Sequence, residues 1–474
     1  MDLSVVYAQY QADEERTRQQ NIVTARNYYA GDHKAYLSER QKEFLGHQLT
    51  KERFALNYCA TVVDAVVERM IVAGFRSADD ALTEWVWDAW KHARMDSKQQ
   101  EVHHGAINES EYFVLIDWPD GAPYPRFLPH PRYTDPTVDG TGFGCKAHYA
   151  NDDPNQELEA VSKRWTESYQ DDNGRTRQRT RMNVYWPDRI ERLERTTSGA
   201  YKDAGWSGFS ADGLPDLIPW VGNDGKPLGI PIVHFRKPGR FELWDAIPLQ
   251  DLINKTALDI IAAVDAAGFP IRIFYGGVMT TDGKAPESDG SNYVSIFPGC
   301  WINVQGADQK VEFHPGEDPT ALIGALDSYI IKLAQVTDTP ISRFQMTRQV
   351  AAEGTLKQQE SPLLAKVRAY QTQIGNAWED LMKTAARLGS VHGLSFDENA
   401  ELETEWEPAE TRDDTAEMQK LEIKARLGVP QEQLWAEMGY DADEIAQMRA
   451  AKAEELQTQA NLGGALLEQF ERGI

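Results

Sequence analysis

The sequence predicts an α+β chain built from several regions in series. Three observations carry this reading: apolar residues at helical spacing near the start and through the second half, short β-type runs between about residues 112 and 235, and a long helical stripe from Leu363 to Leu388. The 474 residues suffice for about two to four domains, each with enough apolar material for its own core.

Residues 13–45 are rich in Glu, Arg and Gln and contain Asn27, Tyr28, Tyr29, Ala30, Gly31, Asp32 and His33 in succession. This reads as a helix closed by Gly31 as a C-cap, then a loop. Val62, Val63, Val66, Val67, Met70 and Ile71, then Leu82, Trp85, Val86 and Trp90, recur at helical spacing on either side of Gly74 and predict two more helices with core-facing stripes. From Tyr112 to Ile116 the pattern turns to β, and the Pro, Gly and Asp of the stretch from Trp118 to Gly144 break it. A hairpin follows, with Val161–Tyr169 and Thr176–Trp186 as strands and Asn173-Gly174 as a type I′ turn. Asp171, Asn173 and Gly174 also hint at a calcium loop, but Tyr169 and Thr180 stand where carboxylate ligands are required. Gly and Pro over 203–231 mark a long loop before Ile230–Phe235.

Leu249, Leu252, Ile253, Ile260, Ile261 and Val264 form a helical stripe ending before Gly268-Phe269-Pro270. Ile271–Tyr275 and Tyr293–Phe297 are β-type runs within a small α/β or β insert over 271–316. Asp318-Pro319 serves as N-cap and N1 for a helix carrying Leu322, Ile323, Leu326, Ile330, Leu333 and Val336, which stops near Pro340. Residues 337–360 lack a period and read as an exposed loop. Ser361-Pro362 then opens the longest helix, roughly 40 Å from its rise per residue, ending at Gly389. Glu401–Glu407 alternates like one strand. From Thr411 the chain is helical and acidic, with a break at Gly428-Val429-Pro430, a capping box at Asp441–Glu444 and a fraying tail.

Composition excludes several classes. No apolar run approaches the roughly 20 residues of a membrane span, and the N-terminus turns polar at once, unlike a secretory signal. Cys59, Cys145 and Cys300 are too few and too scattered for a disulfide framework or a zinc site. A net charge of −25 is the wrong sign for gripping nucleic acid by its phosphates. Gly225-Lys226 and Gly283-Lys284 lack the rest of a phosphate loop, and Gly140, Gly142 and Gly144 do not make a dinucleotide fingerprint. Ser207 lacks the spacing of a nucleophile elbow. His103-His104 has no second ligand pair, so surface or capping histidines are expected. No catalytic residue, metal or cofactor is predicted.

The element order, together with Asn27–Gly31, Asn183–Ile190 (Asn-Val-Tyr-Trp-Pro-Asp-Arg-Ile) and above all Ile247–Lys255 (Ile-Pro-Leu-Gln-Asp-Leu-Ile-Asn-Lys), resembles the siphophage portal family of tailed double-stranded DNA bacteriophages along almost the whole chain. The resemblance implies a non-enzymatic ring, usually of twelve subunits, at one capsid vertex. Its regions would be a β-rich wing (1–241), a stem helix (242–266), a small α/β clip (267–317), a second stem helix (318–337) and a tunnel loop (338–356). A long kinked helix with a returning wing strand (357–408) and a helical crown and tail (409–474) would complete it. Such a ring is assembled in the host cytoplasm, sits in the virion, meets the major capsid protein and scaffold, and docks the terminase large subunit and then the head-to-tail adaptor at the clip. DNA would pass through the channel without membrane involvement, and an acidic chain is compatible with walls that do not hold it.

Within that resemblance, Arg343, Gln345, Arg348 and Gln349 are candidates for transient phosphate contact in the tunnel loop, against subunit packing as the plainer role. Arg272, Tyr275 and Trp301 are candidates for partner docking at the clip, with core packing the plainer role for the two aromatics. Two rivals remain. One is a hydrolase acting on carbohydrate or nucleic acid through carboxylates of the β-rich domain. The other is a different phage head or connector protein.

Overall fold

The computed structural model describes residues 2–11, 13–33, 56–134, 144–170, 173–195, 206–211, 213–268, 271–275, 301–304, 310–314, 319–344, 353–397, 400–410, 421–438, 448–449 and 452. The chain divides into a large unit, Met1–Ala409, and a small one, Glu410–Ile474.

The large unit begins with helices α1 (Leu3–Gln11) and α2 (Asp13–Tyr29). Gly31 ends α2 as expected: at φ +78° it lets its own N–H reach the Tyr28 carbonyl and the Asp32 N–H reach that of Asn27 at 2.7 Å. Helix α3 (Tyr58–Val67) is followed by α4 (Asp80–His92), capped by the Asp79 carboxylate on the Ala81 and Leu82 amides, and α5 (Met95–Asn108). Between α3 and α4 lies a strand the periodicity did not predict, β1 (Val72–Ser77). It pairs antiparallel with β14 (Leu402–Trp406), which the alternation did predict.

Three further sheets are formed among the described residues. In the first, β2 (Glu111–Asp117) lies between β3 (Arg126–Pro131) and β10 (Ile232–Arg236), all antiparallel. Strand β3 falls where prolines led us to expect only irregular chain; Pro129 and Pro131 are accommodated because β3 is an edge. The second sheet runs β4 (Gly144–Tyr149), β5 (Leu158–Gln170), β6 (Thr176–Tyr185), β7 (Arg189–Arg195) and β8 (Ser207–Gly208), with β9 (Leu217–Pro219) also on β7. The expected long loop over 203–231 thus lends two short strands to this sheet. The expected hairpin is present as β5–β6, but five residues separate Gln170 from Thr176. Among the described ones Gly174 alone has positive φ, so the turn is a longer loop and not a two-residue type I′. The third sheet is the insert: β11 (Ile271–Tyr275) pairs parallel with β12 (Trp301–Val304) and antiparallel with β13 (Lys310–His314).

The insert is flanked by α6 (Ile247–Gly268) and α7 (Thr320–Val336), which pack against each other. Pro319, expected at N1, is the N-cap of α7, its carbonyl accepting from Ile323. The long helix α8 covers Glu353–Gly389, starting eight residues before the expected Ser361 and carrying Pro362 inside. Lacking an N–H, Pro362 forgoes the bond to the residue 358 carbonyl, and the flanking turns continue the helix around that gap. Its predicted stripe is the axis of the core: Leu363, Val367, Ile374, Trp378, Leu381, Ala385 and Leu388 are all buried. Trp378 meets Trp90 and Phe235 edge-on, with ring centres 5.0 and 4.4 Å apart.

In the small unit, residues 421–426 are helical and end at the expected break: Gly428, at φ +86°, directs the Val429 N–H to the Lys424 carbonyl. A second helix covers Gln431–Glu437. The capping box expected at Asp441–Glu444 lies outside the described residues.

Candidate functional site

Two of the sequence motifs meet at the N-terminal end of α6. Gln250 and Asn254 interrupt the apolar stripe one turn apart and are fully buried. Gln250 accepts the Tyr58 N–H at 3.0 Å and donates to the Leu56 carbonyl at 2.5 Å. Asn254 accepts the Leu56 N–H at 3.0 Å and donates to Nδ1 of His33 at 2.8 Å. Nε2 of His33 faces the Tyr28 carbonyl at 2.8 Å, so the ring carries its proton on Nε2. The Tyr28 hydroxyl closes the circuit on Asp251 at 2.7 Å, and Asn57 reaches from the N-cap of α3 to the Tyr29 carbonyl at 2.8 Å. Segments 28–33, 56–58 and 250–254 are thereby joined by hydrogen bonds from buried side chains to backbone groups and to one another. Polar residues four apart inside an apolar stripe were the visible signal, but their partners were not.

The far end of α7 is held by a second buried cluster. Glu242, on the approach to α6, receives Lys366 at 2.7 Å and the Tyr370 hydroxyl at 2.9 Å, both from α8, and Lys237 lies at 3.5 Å. Lys366 also donates to the Thr337 carbonyl at 2.5 Å, just beyond α7. Burial alone would raise the Glu242 carboxyl; the two ammonium groups and Tyr370 overcome it and hold it below the usual range. Asp338 then takes left-handed backbone at φ +53°, and the Thr339 N–H returns to the Ala334 carbonyl. No sequence signal separated Glu242 from the other 73 carboxylates.

From this anchored root the chain makes a 3-10 turn over Ile341–Arg343. Arg343 pairs with Glu68 at 2.7 Å, and Phe344 packs edge-on against Tyr58 at 5.7 Å, so both contacts fall on α3 or its C-cap. Gln345, Arg348 and Gln349 lie outside the described residues. At the insert, Arg272 and Tyr275 sit on β11 and Trp301 on β12, with Arg272 directly across from Trp301.

His103 corrects the expectation of a surface or capping histidine. It is fully buried, its Nδ1 2.9 Å from the Met70 carbonyl and its Nε2 accepting from the Trp378 indole at 2.9 Å, a neutral ring that ties α5 to α8. Burial lowers its pKa to about 3. His130 falls to about 3 through burial and the Lys163 ammonium at 3.0 Å, and burial with Lys146 nearby takes His148 well below its ordinary value. These rings charge more readily in the unfolded chain. Their contribution is therefore complete above pH 6.5 and lost as pH falls from there toward 3. Melting temperature is expected to drop steadily on acidification through that window, and a flat profile down to about pH 4 would contradict buried neutral rings.

A cleft of about 520 Å³ opens between the end of α8 and the loops at 223–228 and 394–400. Two carboxylates line it, Asp224 and Asp397. Asp224 accepts from the Lys226 amide and pairs with its ammonium at 3.3 Å, which holds the acid below its usual range. A glycosidase pair contains one raised acid and one carboxylate that stays ionised, and this displacement fits the second role and not the first.

These features describe a helical frame keyed by buried amides and ion pairs, with a three-stranded sheet inserted between α6 and α7. Among the described residues no group of His, Cys, Asp and Glu could hold a metal, and no helix is long and apolar enough to cross a membrane. The chain belongs to the phage portal protein family, SPP1 Gp6-like, whose family model matches residues 8–458, and is thus a structural component of a phage virion. It is similar to the portal protein of Mycobacterium phage L5, 24% identical over 91% of this chain and 86% of that one. The portal protein of Mycobacterium phage D29 is 22% identical over 91% of this chain and 87% of its own. Among solved structures, a chain of the virion of a native gene transfer agent particle aligns with 89% of this chain and 94% of its own, at 9% identity and TM-score 0.38, a likeness too distant for details to be carried across.

Proposed function

We propose that this portal protein assembles as a ring, of twelve subunits by the habit of its family, whose central channel carries double-stranded DNA into and out of the capsid. The observation that supports the ring is the surface of α6 and α7. Leu252 and Val264 on α6 and Ile323 and Ile331 on α7 are 43 to 51% exposed, and Val336 at the end of α7 is 52% exposed. Burying the exposed half of such side chains is favourable by about 1 kcal/mol each, and a neighbouring copy would supply the cover.

In this reading α6 and α7 are the stem, the three-stranded insert is the clip, residues beyond Thr337 begin the tunnel loop, and the unit from Glu410 onward is the crown. Terminase and then the adaptor would dock at the clip near Arg272, Tyr275 and Trp301, while capsid protein and scaffold would surround the wing. Arg343, Gln345, Arg348 and Gln349 would meet phosphate transiently, with assembly taking place in the host cytoplasm.

The expected result for Leu252→Glu with Ile331→Glu is a folded protein that stays monomeric at concentrations where the parent forms rings, since both sites are already in water in the single chain. Light scattering and negative-stain images read it. Rings of unchanged symmetry in the double variant would remove the stem helices from the interface.

A further inference from the structure

We infer that Glu68 is a built-in rival of DNA phosphate for Arg343, so that the root of the tunnel loop is latched to the wing until a polyanion displaces the carboxylate. This rests on the portal reading and adds a residue and a mechanism to it.

The geometry comes in two parts of different strength. Thr337 and Thr339 are buried, and Lys366 binds the Thr337 carbonyl from α8, so the chain leaves the Glu242 cluster in a fixed direction. The 3-10 turn that follows is short, and two contacts at its end fall on α3 or its C-cap. One is the Phe344–Tyr58 ring pair, which is apolar and indifferent to ions. The other is the Arg343–Glu68 pair, whose side chains are 35% and 55% exposed.

An exposed pair of this kind is weak, contributing a factor of at most about five to an equilibrium, and salt screens it. That makes it exchangeable. A guanidinium binds a phosphodiester with the same planar fork that it offers a carboxylate. Exchange leaves Arg343 paired in both states and transfers the negative charge near it from Glu68 to the ligand. It also frees the Glu68 carboxylate beside a polyanion, which opposes prolonged holding. The pair therefore limits how tightly Arg343 can grip DNA that must move.

A double-mutant cycle on the full-length protein separates this from simpler accounts. Binding of a duplex of about 30 base pairs, roughly 100 Å long, is followed by fluorescence anisotropy across a salt series, with particle mass read on the same samples. Glu68→Gln is expected to raise affinity by up to about fivefold per subunit engaged, and Arg343→Gln to lower it and flatten the salt slope. The decisive result is the double variant, in which Glu68→Gln should raise affinity less than it does in the parent, because only direct repulsion of the polyanion, and no competition for the guanidinium, is then left to remove.

If Glu68→Gln improves binding equally in both backgrounds, removal of a negative charge is the whole effect and the latch is wrong. Failure of every form to bind the duplex also overturns it, because Arg343 then has no phosphate to meet. Particles that remain monomeric count against the ring, whereas additivity in intact rings counts against the latch only.

Discussion

Replacing Glu242 by alanine is expected to cost about 3–5 kcal/mol of unfolding free energy, the typical penalty for removing one partner of a buried charge cluster. The size follows from what is left behind. Lys366 and Lys237 have side chains only 14% and 8% exposed, and Glu242 is the carboxylate that both of them reach. Burial and the neighbouring Lys366 ammonium already push Lys237 down, so without Glu242 it would tend to lose its proton instead of staying charged. Tyr370 loses its acceptor as well. Urea unfolding of the variant should show a lower midpoint at an unchanged slope. A loss under about 1 kcal/mol would mean that water reaches the cluster. Glu242→Gln keeps one acceptor for Lys366 and should fall between the two. Because the Glu242 carboxyl is held below its ordinary value, its contribution is complete above about pH 4.5 and is lost as pH falls below that.

Asn254→Ala is expected to cost about 2–4 kcal/mol through a different route, since nothing charged is exposed or paired. The Leu56 N–H loses its acceptor, Gln250 loses one of two acceptors, and Nδ1 of His33 loses its donor. Urea unfolding reads the loss, and a change under about 0.5 kcal/mol would mean that these bonds do not contribute.

Most helices were legible because their stripes bury against one another in register, as with Leu82, Val86 and Trp90 on α4 and Val367, Ile374 and Trp378 on α8. The elements that escaped are those whose cause lies far away in the chain. Strand β1 contains Gly74 and Arg76 and has no strong alternation; it exists because β14, over 300 residues later, supplies its hydrogen bonds. Strand β3 carries two prolines and survives as the edge partner of β2. The early start of α8 was hidden by reading Pro362 as a first-turn residue, a position it favours but does not require.

The site was legible in the same uneven way. The stretch Ile247–Lys255 stood out as a motif, yet the roles of Gln250 and Asn254 depend on carbonyls and amides near residues 28 and 56, which no local pattern reveals. Arg343 was visible as a cation in a loop, but Glu68 as its partner was not.

The proline inside α8 has a mechanical consequence. Nine residues, 353–361, precede it, and the missing bond to the residue 358 carbonyl removes one strut where the helix leaves the core. Trp378 and its aromatic neighbours clamp the helix more than four turns further on. A push on the leading turns should therefore be absorbed by bending near Pro362 before it disturbs the clamped part, as a compliant coupling spares the shaft behind it.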